Sequence, residues 1–98
     1  MINKIEHIGI AVTDLKKSED LFEKLLGKKP YKKEEVASEG VVMSFFKIGN
    51  QKIELLKGNN SESPIQKFIK KRKEGIHHIA LHAVSYTHLR AHETEADL

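Results

Sequence analysis

The sequence predicts an α+β fold built on a strand–helix–three-strand (βαβββ) module, complete once and then begun a second time. Three observations carry this. Residues 5–12, IEHIGIAV, alternate as a strand with one buried face does. Residues 41–56 hold two strand-like runs, VVMSFFKI and QKIELL, joined by Gly49-Asn50, a two-residue hairpin turn of the glycine-first kind. Residues 77–83, HHIALHA, repeat residues 6–12, EHIGIAV, with His78 in the place of His7 and Ala80 in the place of Gly9.

Each element follows from its residues. In the first strand Ile8, Ile10 and Val12 point one way and His7, Gly9 and Ala11 the other. A helix is expected over about 15–26, with Asp14 as N-cap and Gly27 as its left-handed end. Leu21, Phe22, Leu25 and Leu26, joined by Leu15, form its apolar stripe. Past Pro30 the pattern is polar and extended, an edge strand near 31–37. In QKIELL, Ile53 and Leu55 share one face, so Glu54 sits on the other. After the loop NNSES, Ser63 caps a helix with Pro64 at its first position and Gln66 placed to close a capping box. Ile65, Phe68 and Ile69 are its buried stripe, Gly75 stops it, and a new strand runs over 76–83.

The expected organisation is a first module at 1–62, a linking helix at 63–75, the first strand of a truncated second module at 76–83, and a tail at 84–98. A second copy in full would end about thirty residues past Leu98. The tail does not imitate the first helix: VSYTHLRAHETEADL carries no apolar stripe in the phase of TDLKKSEDLFEKLLG. VSYTHLRAHET resembles translated adaptor read-through, so the tail is expected to be non-native. Its alternative is a divergent C-terminus with His88 and His92 at helical i, i+4 spacing, which can bind metal.

Composition narrows the classes. Ninety-eight residues make one small domain or part of a larger one. The absence of cysteine excludes a disulfide framework and thiolate metal sites. No apolar run approaches a membrane span, and Lys4, Glu6 and His7 interrupt the opening segment where a signal peptide would be apolar. A cytoplasmic location is expected. The net charge of +3 gathers in two clusters, Lys28, Lys29, Lys32 and Lys33, then Lys67, Lys70, Lys71, Arg72 and Lys73. No aromatic residues interleave the second cluster as a stacking platform would, which argues against nucleic acid. A solvated face or attraction of a phosphate-bearing small ligand remain open.

His7, Glu54 and His78 share a description: each projects from a strand, opposite the aliphatic face. Two imidazoles and a carboxylate suit a divalent transition metal with open positions left for substrate. Taken singly, a strand histidine is more often a satisfied half-buried residue, and Glu54 an exposed alternate. The repeat raises the two histidines together, since recurrence at one place asks for one reason. By alternation His77 faces the Ile79 and Leu81 side, in a packing or supporting role. His82 shares the face of His78 and has no counterpart in the first module.

EHIGIAVTDLKKSEDLFEKLLGKK, EGVVMSFFKIGNQKIELL, SPIQKFIKK and GIHHIALH together resemble the methylmalonyl-CoA epimerases of the vicinal oxygen chelate (glyoxalase-like) superfamily. The resemblance covers nearly all of residues 3–82. It implies paired βαβββ modules curled around a divalent metal (cobalt, manganese or zinc-like), with His7, Glu54 and His78 as three ligands. The fourth, a glutamate on the last strand of the second module, has no residue here. The implied reaction interconverts (R)- and (S)-methylmalonyl-CoA through an enolate, in a homodimer whose partner is a small CoA thioester. One family base follows the EGVV segment, where this chain has Met43, and the other is the missing glutamate. No catalytic acid or base is therefore assigned, and the 98-residue chain is expected to be inactive alone. With a CoA ligand in view, the lysine clusters become candidates for its phosphates. The competing readings are a glyoxalase-type lyase acting on a glutathione adduct and a non-catalytic ligand-binding half-module.

Overall fold

The computed structural model describes residues 1–85 and 92–97, with side chains described as far as Ala83. The elements are β1 (Ile2–Ala11), α1 (Leu15–Leu26), β2 (Lys32–Val36), a 3-10 turn (Ala37–Glu39), β3 (Val41–Ile48), β4 (Gln51–Gly58), α2 (Pro64–Arg72), β5 (Gly75–Ser85) and β6 (His92–Asp97). Through β5 this is the expected order. The strands make one sheet in the order β2-β3-β4-β1-β5-β6. β1 is parallel to β4 and antiparallel to β5, so the first strands of the two repeats lie side by side.

The local signals hold. Asp14 accepts from the Lys17 N–H at 3.0 Å, and Gly27 closes α1 at φ 69°. Ile48 pairs with Gln51 across a two-residue turn. Ser63 accepts from the Ile65 N–H rather than from that of Gln66, with Pro64 in the first turn. The expected stop at Gly75 is corrected: α2 ends at Arg72 with Lys73 as its cap, and Gly75 opens β5.

Alternation along the strands gives the sheet two faces with separate cores. On one, Val12, Phe46 and Leu55 are buried beneath Leu15, Phe22 and Leu26 of α1. On the other, Ala11, Val41 and Leu56 pack with Ile65 of α2, flanked by Met43, Phe68 and Ile69. Burying a side chain such as Phe46 or Leu55 contributes roughly 1.5–3 kcal/mol, which places the stability of this module in the register of its strands. One expectation for α1 is corrected. Leu21 and Leu25 are 53% and 67% exposed, and the inward face is Leu15, Glu19, Phe22 and Leu26. Glu19 is buried because it has polar partners: it accepts from Ser44 Oγ at 2.6 Å and pairs with Lys33 at 3.1 Å. A hydrophobicity stripe cannot register such a residue.

β5 runs two residues past the expected end at 83, and the backbone of β6 pairs antiparallel with it from Ser85↔His92 to Ala80↔Asp97. The sequence pattern predicts no element there. An unpaired sheet edge offers a row of hydrogen-bonding groups that a returning segment can satisfy regardless of its apolar pattern. His92 is the first residue of this strand, and His88, the other half of the i, i+4 spacing, lies outside the described residues. Among the described residues no helix is long and apolar enough to cross a membrane.

Candidate metal centre

β1, β4 and β5 are neighbours in the sheet, and each contributes one side chain to a single point. His7, Glu54 and His78 offer ligand atoms that all lie within 4.8 Å of one another. The two imidazoles face each other with Nε2 to Nε2 at 3.0 Å, ring planes at 89°. Glu54 Oε2 lies 3.5 Å from His7 Nδ1. Nitrogens sharing one ion at about 2.0–2.1 Å stand roughly 3 to 3.4 Å apart, so the imidazole spacing fits a common cation. The His7 and Glu54 side chains are only 12% and 13% exposed, which strengthens the field of each on the other.

The backbone register explains why the repeat reads histidine, any residue, small residue. His7 stands opposite Ala80, and Gly9 stands opposite His78. The small residue of each repeat thus makes room for the histidine of the other. At Gly9 the room is essential: an added Cβ would lie 2.3 Å from His78 Cε1.

Register slips bring two further residues to the centre. Ile5 opposes Leu81 and His7 opposes Ala80, which leaves Glu6 as an extra residue on β1. Gly9 opposes His78 and Ile10 opposes Ile76, which leaves His77 as an extra residue on β5. Such bulges re-aim side chains. Glu6 Oε1 lies 3.3 Å from His7 Nδ1 and accepts from Lys52 Nζ at 3.2 Å. Burial pushes the Glu6 carboxyl up, but the hydrogen bonds and charges of His7 and Lys52 outweigh it and hold the group below the usual carboxylate range. His77 Nδ1 is 2.9 Å from His78 Nδ1, and its ring packs edge-on against Phe68 with centroids 4.9 Å apart. Strict alternation sent His77 to the Ile79 side; the bulge turns it into the same cavity as His78. Alternation likewise missed Glu6, and the signal that finds it is the repeat, which aligns Glu6 with His77. His82 is engaged elsewhere, with Nδ1 2.9 Å from Asn3 Oδ1.

Glu54, His77 and His78 line a cavity of about 520 Å³ that continues past Met43 and Leu56 to the start of α2 at Ser63–Ile65. Among the described residues, none of the lysine-cluster side chains lines it. Lys28 donates to the Lys47 carbonyl, while Lys32 and Lys33 pair with Glu34 and Glu19. Met43 packs with the apolar cluster of the α2 face.

A module pairing its first strand with that of a following repeat, and converging histidines from both, defines a class. Residues 6–96 match the model of the glyoxalase/bleomycin resistance protein/dioxygenase superfamily, and the chain belongs to it. The bovine mitochondrial methylmalonyl-CoA epimerase is 35% identical over 81 residues, which are 82% of this chain and 46% of that protein. The solved structure of the hypothetical protein BH1468 from Bacillus halodurans is 49% identical with a TM-score of 0.77, covering 84% of this chain and 59% of that one. The Streptomyces coelicolor methylmalonyl-CoA epimerase (S115T) in complex with 2-nitronate-propionyl-CoA is 28% identical with a TM-score of 0.78, covering 88% and 64%. The chain spans about half the length of the curated relatives it matches, from 46% to 60%.

Proposed function

We propose that this chain contributes one half of the active centre of a metal-dependent epimerase acting on methylmalonyl-CoA. The convergence of His7, Glu54 and His78 on one point at the wall of the cavity carries the reading. Support comes from relatives that are themselves methylmalonyl-CoA epimerases, one solved in complex with 2-nitronate-propionyl-CoA.

In this reading the three side chains hold a divalent cation of the cobalt, manganese or zinc kind, and a fourth ligand comes from beyond them. When bound, the cation supplies positive charge to the oxygen on which negative charge develops as the proton α to the thioester leaves. The chain's own residues do the rest of the preparation. Gly9 clears space for the His78 ring, and Met43, Leu56 and Ile65 give the acyl group an apolar wall. A cavity of this size falls within the about 300–1,000 Å³ common for small-molecule sites. Met43 cannot accept a proton, so this position supplies neither acid nor base to the reaction. A homodimer and a cytoplasmic setting belong to the same proposal.

Met43 also favours a second reading, a non-catalytic half-module that binds its ligand without metal and moves no proton. Two measurements separate the readings. Calorimetric titration of the chain with cobalt, manganese and zinc is expected to give one site, abolished by His7→Ala. A chimaera in which the unmatched remainder of BH1468 follows Ala83 is expected to exchange the α-proton of methylmalonyl-CoA for deuterium only when metal is present. No metal uptake ends the epimerase reading and favours the metal-free binding module; uptake with metal-dependent exchange ends the second reading.

A further inference from the structure

We infer that the basic end of the sheet at the β3–β4 hairpin, where Lys4, Lys47 and Lys52 share the face that carries Glu54, holds the phosphate-bearing arm of the thioester. This rests on the thioester reading proposed above and gives the bound molecule a direction, with its acyl group in the cavity and its phosphates over the hairpin.

Strand register orders this face. On β4, alternation puts Lys52, Glu54 and Leu56 on one side. Lys47 is the cross-strand partner of Lys52 and shares that side. Lys4 stands opposite His82, which alternates with Ala80 and His78 on the same face of β5. Lys52 Nζ lies 3.2 Å from Glu6 Oε1, and that oxygen lies 3.3 Å from His7 Nδ1, which sets the amine at the edge of the metal centre. Lys4 Nζ donates to the Asn50 carbonyl at 3.1 Å and Lys28 Nζ to the Lys47 carbonyl at 2.8 Å, so two more amines rest on the hairpin.

Charge divides the face at the metal centre. In one direction runs the cavity, apolar at Met43, Leu56 and Ile65 and lined by the carboxylates of Glu39 and Glu62. The Val41–Gly58 pair stands four residues from the Phe45–Glu54 pair, roughly 13 Å along the strands, and Glu39 lies beyond it. A phosphate carried that way would meet like charge. In the other direction the hairpin KIGNQK and the strand start INK hold no acidic residue. Like charges directly opposite each other, as on Lys47 and Lys52, destabilise a strand pair. Glu6 relieves Lys52, while Lys47 is exposed to solvent, so an added anion is favoured here. Phosphate oxygens accept strong, charge-assisted hydrogen bonds from such amines. Ile48 and Gln51, which flank the turn, stand three residues from the Phe45–Glu54 pair, roughly 10 Å, a gap that a pantetheine arm bridges between sulfur and diphosphate.

The test compares two probes on the 98-residue chain, propionyl-CoA and propionyl-pantetheine, which share the acyl group and the amides and differ in the phosphates. Calorimetry is expected to give propionyl-CoA about tenfold tighter binding, a preference that shrinks as salt is added. The double variant Lys4→Ala, Lys47→Ala is expected to remove the preference while leaving the affinities for propionyl-pantetheine and for zinc unchanged. Arginine at both positions is expected to keep it. Lys52 is left in place because it holds Glu6 beside His7. Lys70→Ala with Lys71→Ala, in the basic last turn of α2, is expected to behave as the parent. Equal affinity for the two probes, binding of neither, or a preference that follows Lys70 and Lys71 overturns the inference. The comparison is run with zinc and without it. A chain that takes up zinc but shows no lysine-dependent preference defeats this direction of binding alone. A chain that takes up no zinc defeats the epimerase reading, and the two probes still decide where the phosphates lie.

Discussion

Gly9 and His78 face each other across the β1–β5 pair, and the imidazole fills the space that a side chain at residue 9 would occupy. The closest approach, 2.3 Å from an added Cβ to Cε1, is shorter than any real contact of that kind. Gly9→Ala is therefore expected to displace the His78 ring. Overpacking of this sort costs about 1–3 kcal/mol, and cobalt affinity should fall at least in step with the misplaced ligand. Thermal melts and cobalt titration of the variant check both; an unchanged affinity would mean that His78 does not hold the ion.

Metal ought to stabilise the folded chain by mass action, by about 2.7 kcal/mol at a hundred times its Kd. Glu54→Ala and His78→Ala are expected to abolish that increment while leaving the metal-free melting temperature within a few degrees of the parent. Differential scanning fluorimetry with and without zinc decides it. A zinc shift that survives both substitutions would place the ion elsewhere.

Lys73 closes α2 with its N–H on the Ile69 carbonyl, at φ 64° and ψ −169°. This is a region that side chains avoid, at a cost of about 1–3 kcal/mol. Lys73→Gly relieves it and loses roughly 0.5–1 kcal/mol to the freedom of the unfolded chain. The expected net is a gain of about 1 kcal/mol, visible as a melting temperature higher by about 4–8 °C for a domain of this size.

Glu74 accepts from both the N–H and the hydroxyl of Thr13, at 2.6 and 2.9 Å, joining the end of β1 to the start of β5. The hydrogen bonds from the backbone and side chain of Thr13 hold its carboxyl below the usual carboxylate range. The stabilisation is thus complete above the unfolded-state pKa of about 4.3 and disappears as pH falls through the lower folded-state value. Urea melts of the parent and Glu74→Ala should differ by up to about 1 kcal/mol at pH 7 and converge in acid. A difference that persisted below pH 3 would assign the effect to packing instead.

The buried carboxylate of Glu19 depends on Ser44, itself fully buried. Ser44→Ala leaves an oxygen of Glu19 without that donor, a loss of about 1–3 kcal/mol. Chemical denaturation measures it, and Glu19→Leu in the same background should recover part of the loss by removing the charge.

Periodicity and turn chemistry alone determined the βαβββ order, the two-residue hairpin at Gly49-Asn50, the N-caps of both helices and the placement of Glu54 away from Ile53 and Leu55. These features are local: each is decided by residues within a few positions of one another, and the physics that selects them acts over one turn or one pleat. The repeat also singles out His7 and His78 without reference to any contact. What tertiary structure alone decided is where strand pairing departs from regularity. The bulges at Glu6 and His77 arise from the antiparallel register of β1 on β5, strands whose paired histidines lie 71 residues apart. No local pattern encodes which residue is left over when two such strands align. For the same reason Glu19 entered the core against its polarity, since Ser44 and Lys33 reach it only once β2 and β3 have folded beneath α1.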